Sequence, residues 1–294
     1  MRTLARSLSM AVLLLSLAAQ AGDRPPAFPV RSVALPTGAT LQFAEQGNRA
    51  GPVLLCLHGY TDSWKSYARA MPEISRRYRI LSVTLRGFGD ASKPETGYAG
   101  ADFTADLVAL MDALHISKAT VIGHSMGSFI AQQLAFTHPE RVEALVLIGS
   151  APKPDNEGVK SLRASVQGFT DPVDPQFVRE FQASTVSRPL PSDFFQTVVA
   201  ESLKVPARVW IAAINGVLAE DHSAELGKIR APTLVMWGEK DSVFSEAEQR
   251  ALVAAIPGAR RVTFPETGHA PHWEWPERFA SELESFLKSV KKAR

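Results

Sequence analysis

The chain has 294 residues, 45% of them hydrophobic and 21% charged, enough apolar content for a large core and too ordinary a charge content for a disordered or coiled-coil protein. Its 32 basic and 30 acidic side chains leave a net charge of +2 without a basic run, so nucleic-acid binding has no electrostatic support. The single cysteine, Cys56, excludes an intrachain disulfide, and no Cys/His spacing suits a metal.

In chain order, residues 1–21 come first. Arg2 and Arg6 precede an apolar run over 8–17, and Ala19-Gln20-Ala21 follows as a small-x-small site. That order is the layout of a secretory signal peptide. The run is short for a permanent membrane span, and no cysteine follows the site to carry a lipid anchor. The expectation is cleavage after Ala21, export to a periplasm or the medium, and no stable membrane association afterwards. A membrane-tethered protein would require the leader to stay attached. Cleavage removes Arg2 and Arg6 and leaves 30 basic against 30 acidic residues.

Segments 31–35 and 40–45 read as an N-terminal hairpin. Short apolar runs then recur at 53–57, 80–85, 120–123, 145–149 and 233–238, each ending in glycine or a polar turn. Runs apolar nearly throughout suit strands buried on both faces of a parallel sheet, and Cys56 reads as a small core residue in one of them. Between the runs lie helical patterns. Leu107, Leu110, Met111 and Leu114 mark 102–114, a second pattern covers 128–136, and Phe279, Leu283, Phe286 and Leu287 mark 277–290. Strand–helix alternation predicts a doubly wound, mostly parallel sheet.

The alternation stops over 152–227. Helix-like stretches at 177–181, 193–203 and 208–218 are punctuated by prolines, and the strand pattern resumes after Pro232. This reads as a helical cap, 152–227, inserted into a core domain of 22–151 and 228–294. Phe169, Phe177, Phe181, Phe194, Phe195, Val209 and Trp210 are expected mostly to pack the cap, with a few facing an apolar pocket.

The chemistry centres on Gly123-His124-Ser125-Met126-Gly127, placed between a strand and a helix. A serine on such a turn is forced out toward solvent, while the flanking glycines let other backbone pass close by. A serine hydroxyl needs a base, and the base needs an orienting acid. His269, in Glu266-Thr267-Gly268-His269, follows a strand-like 261–264 and directly succeeds a glycine. His272 is its rival and is read as a packing or hydrogen-bonding residue. Asp241, just past the strand at 233–238, is the acid. The earlier strand offers no carboxylate before Asp155, well inside the insertion, and Glu239 reads as a solvated turn residue. Backbone donors for an oxyanion are expected from Met126 N–H and from Tyr60 N–H in His58-Gly59-Tyr60-Thr61-Asp62.

These motifs, with Arg86-Gly87-Phe88-Gly89-Asp90-Ala91-Ser92-Lys93-Pro94 and Gly238-Glu239-Lys240-Asp241, resemble the α/β-hydrolase superfamily over about residues 30 to 290. The resemblance is to its branch of small capped esterases, enol-lactonases, cofactor-free haloperoxidases, C–C bond hydrolases and epoxide hydrolases. It implies a sheet of about eight strands with the cap after the sixth, and a triad of Ser125, Asp241 and His269 that uses no cofactor and no metal. It implies a small ester-like substrate bound near Tyr60, His124 and Trp210. Segment 86–94 is structural in this fold. Epoxide hydrolases and haloalkane dehalogenases use aspartate as nucleophile, so Ser125 argues for acyl transfer. Lactonase, amidase or peptidase, perhydrolase and C–C hydrolase chemistry stay open, as does a non-catalytic receptor on the same scaffold. Neither the natural substrate nor an oligomeric state follows from the sequence.

Overall fold

A computed structural model describes residues 28–292. The expected leader, 1–21, lies outside the described residues. Eight strands form one sheet: β1 (Val30–Ala34), β2 (Thr40–Gly47), β3 (Val53–Leu57), β4 (Arg79–Thr84), β5 (Ala119–His124), β6 (Val142–Ile148), β7 (Thr233–Gly238) and β8 (Arg260–Phe264). Their spatial order is β1-β2-β4-β3-β5-β6-β7-β8. β2 runs antiparallel to β1 and β4, and every other pairing is parallel. This is the α/β-hydrolase sheet.

Alternation along each strand feeds two apolar layers. In β3, Leu55 and Leu57 face one core, while Leu54 and Cys56 face the other. The first core is covered by α1 (Gly100–Ala113) and α2 (Met126–Thr137), through Leu107, Leu110, Phe129 and Leu134. The second receives the C-terminal helix α9 (Pro276–Lys292), which buries Phe279, Leu283, Phe286, Leu287 and Val290 at helical spacing. Each of these side chains contributes about 1.5–3 kcal/mol on burial.

The chain passes from β3 to β4 on one side, then to β5 on the other. The carboxyl ends of β3 and β5 therefore border the crevice where strand order reverses, the place where open α/β sheets bind ligands. The 58–62 loop and Ser125 occupy those two ends.

Between β6 and β7 run α3 (Glu157–Val166), α4 (Pro175–Ser184), α5 (Ser192–Ser202) and α6 (Ala207–Asn215). The sequence reading missed α3, whose apolar content is low; its start is fixed by Asn156, whose side chain accepts from Val159 N–H. It also carried α6 to 218. Gly216 ends that helix because its backbone presses on Tyr98, where a Cβ would lie 2.1 Å from the carbonyl oxygen. α7 (Glu246–Ala255), opened by a Ser245–Glu248 capping box, was likewise missed. The four inserted helices cover the sheet's carboxyl edge. Phe194 of α5 meets Trp273 of α8 (Pro271–Glu274) edge to face, with ring centroids 5.8 Å apart. Glu201 of α5, buried, pairs with Lys65 at 2.7 Å. No helix among the described residues is long and apolar enough to cross a membrane.

Candidate active site

Ser125 joins β5 to α2 at φ 50° and ψ −120°, a region costly for a residue with a Cβ. The surroundings hold it there. Its N–H donates to Ile148 O (2.9 Å), and its carbonyl accepts from Ser128 N–H (2.8 Å) and Ser128 Oγ (2.6 Å). The flanking glycines are required by contact. A Cβ on Gly123 would lie 2.3 Å from Gly127 O, and one on Gly127 would lie 2.5 Å from Leu57 O and 2.6 Å from His58 O. The second contact sets the start of α2 directly against the loop after β3.

His58 fixes that loop. Its Nδ1–H donates to Gly59 O (2.7 Å), and its Nε2 accepts from Leu85 N–H (3.1 Å). Burial lowers its pKa to about 4, so the ring stays neutral and this tautomer is locked. Tyr60 lines the space below the cap, and its hydroxyl donates to Trp210 O.

Asp241 follows β7. Its side chain is fully buried and accepts from Val243 N–H (2.8 Å) and Phe244 N–H (3.0 Å), which orients the carboxylate. His269 Nδ1 donates to it at 2.9 and 3.0 Å. The Nδ1–H tautomer leaves the lone pair on Nε2, an atom buried with no hydrogen-bond partner. Gly268 allows the cap to approach: a Cβ there would lie 2.7 Å from Ser187 N and 2.8 Å from Thr185 O. Thr185 O in turn accepts from His269 N–H (2.8 Å).

Ser125, His269, Tyr60 and His124 line one cavity of about 60 Å³, with Val159, Leu162 and Phe181 of the cap forming apolar walls. Beyond Val159, Leu162, Phe181 and Val243 lies an open groove of about 470 Å³ between α3 and α4. A groove of about 620 Å³ along α1 shares no residue with the cavity; its Thr137 hydroxyl lies 2.9 Å from His138 Nδ1 but donates its proton to Gln133 O (2.6 Å).

His124 is buried in the cavity wall, where its Nε2–H donates to His269 O (3.2 Å). Desolvation, followed by the nearby His272 and His269, holds its pKa well below the usual histidine range. Trp210 does not line the cavity. It is fully buried among Phe169, Phe177 and Phe181, with its ring 5.2 Å from that of Tyr60, so it supports Tyr60 from behind. His272 does not line the cavity either; its Nε2–H donates to Ser66 Oγ (3.3 Å), which also accepts from Trp273 Nε1 (3.0 Å). Asp155 pairs on the surface with Lys153 and Lys160. Arg86 of the 86–94 segment forms a buried two-point pair with Asp106 of α1, at 2.6 and 2.5 Å.

Asp62 and Gln182, which carry no role in the sequence motifs, line the same cavity. Asp62 stood in plain view three positions after Gly59. Gln182 had no signal, because nothing in the sequence of α4 marks which polar residue turns toward the core.

Residues 52–276 match the alpha/beta hydrolase fold family, and the chain belongs to it. It is an enzyme of the α/β-hydrolase superfamily. The chain is 27% identical, over 88% of its length and 98% of the relative's, to a putative 2-succinyl-6-hydroxy-2,4-cyclohexadiene-1-carboxylate synthase of Bacillus subtilis. It is 28% identical to Lipase 3 of a Moraxella species, over 90% of this chain and 86% of that one. Among solved structures it resembles the esterase RhEst1 of Rhodococcus sp. ECU1013, with a TM-score of 0.80 and 26% identity over 89% of this chain and 99% of that one.

Proposed function

We propose that the protein is a serine esterase that cleaves small to medium carboxylic esters through an acyl-enzyme. The observation that carries this reading is His269. Its Nδ1–H is fixed on buried Asp241, and its Nε2 lone pair lies without a partner in the cavity that Ser125 shares. Ser125 Oγ attacks the ester carbonyl and gives its proton to Nε2, and Asp241 stabilises the imidazolium. The N–H groups of Tyr60 and Met126 hold the oxyanion. His269 returns the proton to the departing alkoxide. It then takes one from water, which attacks the acyl carbon, and gives it to Ser125 Oγ as the acyl–oxygen bond breaks and the acid leaves. The cavity of about 60 Å³ supports a short acyl arm, and the groove between α3 and α4 supports a longer alcohol or aryl arm.

The test is turnover of p-nitrophenyl esters of graded acyl length, beside lactones and amides, together with labelling by a fluorophosphonate. Ser125→Ala is expected to abolish labelling and to lower kcat by roughly 10³-fold or more. A folded Ser125→Ala protein with undiminished turnover would overturn the reading. Faster turnover of lactones or amides than of any ester would keep Ser125 and reassign the reaction. The layout of residues 1–21 supports an exported enzyme, and the N-terminal residue of the mature protein tests that.

A further inference from the structure

Asp62 is the only carboxylate lining the cavity among the described residues, and the acyl-transfer steps above do not use it. It is 3% exposed. No lysine or arginine pairs with it among the described residues. Its side-chain partners are neutral and distant: Gln182 Nε2 of α4 donates to Oδ1 at 3.2 Å, and Ser66 Oγ donates to Oδ2 at 3.4 Å. A carboxylate offers about four lone-pair sites, so these two long bonds leave it with capacity to spare. A buried carboxyl without a cation is an expensive structural element, and neither of these bonds needs its charge. Burial raises its pKa to about 7, with Gln182, Ser66, His269 and a hydrogen bond from the Gly59 backbone acting in the opposite direction.

Its placement is specific. Asp62 stands two residues beyond Tyr60 on the loop after β3, and its Oδ2 lies close above Gly59, where a Cβ would be 3.2 Å away. The loop that offers the Tyr60 N–H to the carbonyl thus carries a hydrogen-bond acceptor on the same turn. Apart from Gln182, Thr185 and the histidines, the walls contributed by the cap and by the loop after β7 are apolar: Val159, Leu162, Phe181, Leu218, Val243 and Phe244. Gln182 is itself tied to Ser202 Oγ (2.9 Å), which fixes the amide that faces Asp62.

We propose that Asp62 is a specificity residue whose carboxyl group accepts a hydrogen bond from a hydroxyl on the acyl arm of the substrate, with Gln182 holding the acceptor in place. The assignment rests on the esterase reading and names a substrate class within it, short hydroxyacyl esters. A hydroxyl fits better than an ammonium. The imidazolium of His269 forms in the same cavity during turnover and would repel a second cation, and an ammonium costs more to desolvate. A hydroxyl also both donates and accepts, so it partners the ionised and the protonated carboxyl alike.

The test compares kcat/KM for p-nitrophenyl butyrate with its 2-hydroxy and 3-hydroxy counterparts in the wild-type protein, Asp62→Asn and Asp62→Ala. The wild type is expected to favour one hydroxy ester by about tenfold, the effect of one hydrogen bond to a charged acceptor. The preference should vanish in Asp62→Ala and shrink in Asp62→Asn. Because the ratio is taken within each variant, loss of folded protein cancels. A wild type without preference, or a preference that survives in Asp62→Ala, overturns the assignment. Fluorophosphonate labelling separates the two levels of argument. A chain labelled at Ser125 but indifferent to the hydroxyl overturns the role of Asp62 alone, whereas no labelling and no ester turnover removes both.

Discussion

Gly149, which follows β6 at φ +52°, lies flat against the imidazole of His269: a Cβ there would stand 2.7 Å from both Cε1 and Nδ1. The end of the sixth strand therefore sets the position of a side chain more than a hundred residues later. Gly149→Ala would add a left-handed backbone penalty of roughly 1–2 kcal/mol and push the ring away from Asp241. Displacing a catalytic group by about an ångström costs on the order of 10²-fold in rate. The expected outcome is a folded protein, by circular dichroism, with kcat/KM for p-nitrophenyl esters reduced on that scale. Undiminished turnover would show that the ring has room this packing denies it.

Asp241 has a second duty that sharpens its own test. Oδ1 accepts from Val243 and Phe244 N–H, while Oδ2 accepts from His269 Nδ1 at 2.9 Å. In Asp241→Asn the amide oxygen would stay with the two backbone donors, which turns the NH₂ toward His269. The ring must then carry its proton on Nε2 and can no longer accept one from Ser125. We expect kcat to fall by about 10³–10⁴-fold with little change in melting temperature. A loss within about tenfold would mean that Asp241 does not set the tautomer.

Among the described residues, Arg86 and Asp106 form the most completely buried ion pair away from the site, with side chains 7% and 1% exposed. Thr37 Oγ1 also donates to Asp106 (2.5 Å), and Arg86 Nη1 donates to Gly97 O (3.1 Å). Arg86→Met removes the only cation paired with Asp106 among the described residues. Stranding a buried carboxylate costs about 3–5 kcal/mol, which urea unfolding would read as a lower midpoint. The double variant Arg86→Met/Asp106→Leu should regain much of that loss, because it removes the stranded charge. If the double variant is no more stable than Arg86→Met, the cost lies in packing and not in charge.

Most of the fold was legible because its strands are apolar on both faces and its long helices carry a clear stripe, as with Phe279, Leu283, Phe286 and Leu287. The nucleophile turn was legible for a different reason: a Cβ at Gly123 or Gly127 would stand 2.3 to 2.6 Å from backbone oxygens, so sterics write the two glycines that frame Ser125 into the sequence. Residues that act across the fold leave no such trace. Gly149 is required by an imidazole from another strand's loop. Trp210 looked like a pocket aromatic, yet it is buried behind Tyr60, and only the rotation of α6 decides that. Helices α3 and α7 were missed because their signals, Asn156 and the Ser245–Glu248 box, sit at the ends and not in an apolar stripe.

Three histidines make the folded protein acid-sensitive. His58, His124 and His272 are fully buried, and desolvation is the first cause that holds each below the ordinary value of 6.5, to about 4 at His58 and about 3 at His272. Below pH 6.5 the unfolded chain takes up three protons that the folded chain refuses. The stability these neutral rings contribute is thus full above pH 6.5 and is lost as pH falls from there toward the folded values. Asp62 acts in the opposite sense. Its folded pKa of about 7 lies above the ordinary 3.8, so between those values the folded chain keeps a proton that the unfolded chain releases. Among these four groups the net uptake on unfolding is two protons, a contribution to the slope of at most about 3 kcal/mol per pH unit. Urea midpoints measured from pH 6.5 down to about 4.5 should fall steeply on this account. His272→Gln, which keeps a donor for Ser66 but removes one titrating ring, should lower the slope by about half. A midpoint that does not move with pH, or a slope unchanged in His272→Gln, would mean that these rings exchange protons freely in the folded state.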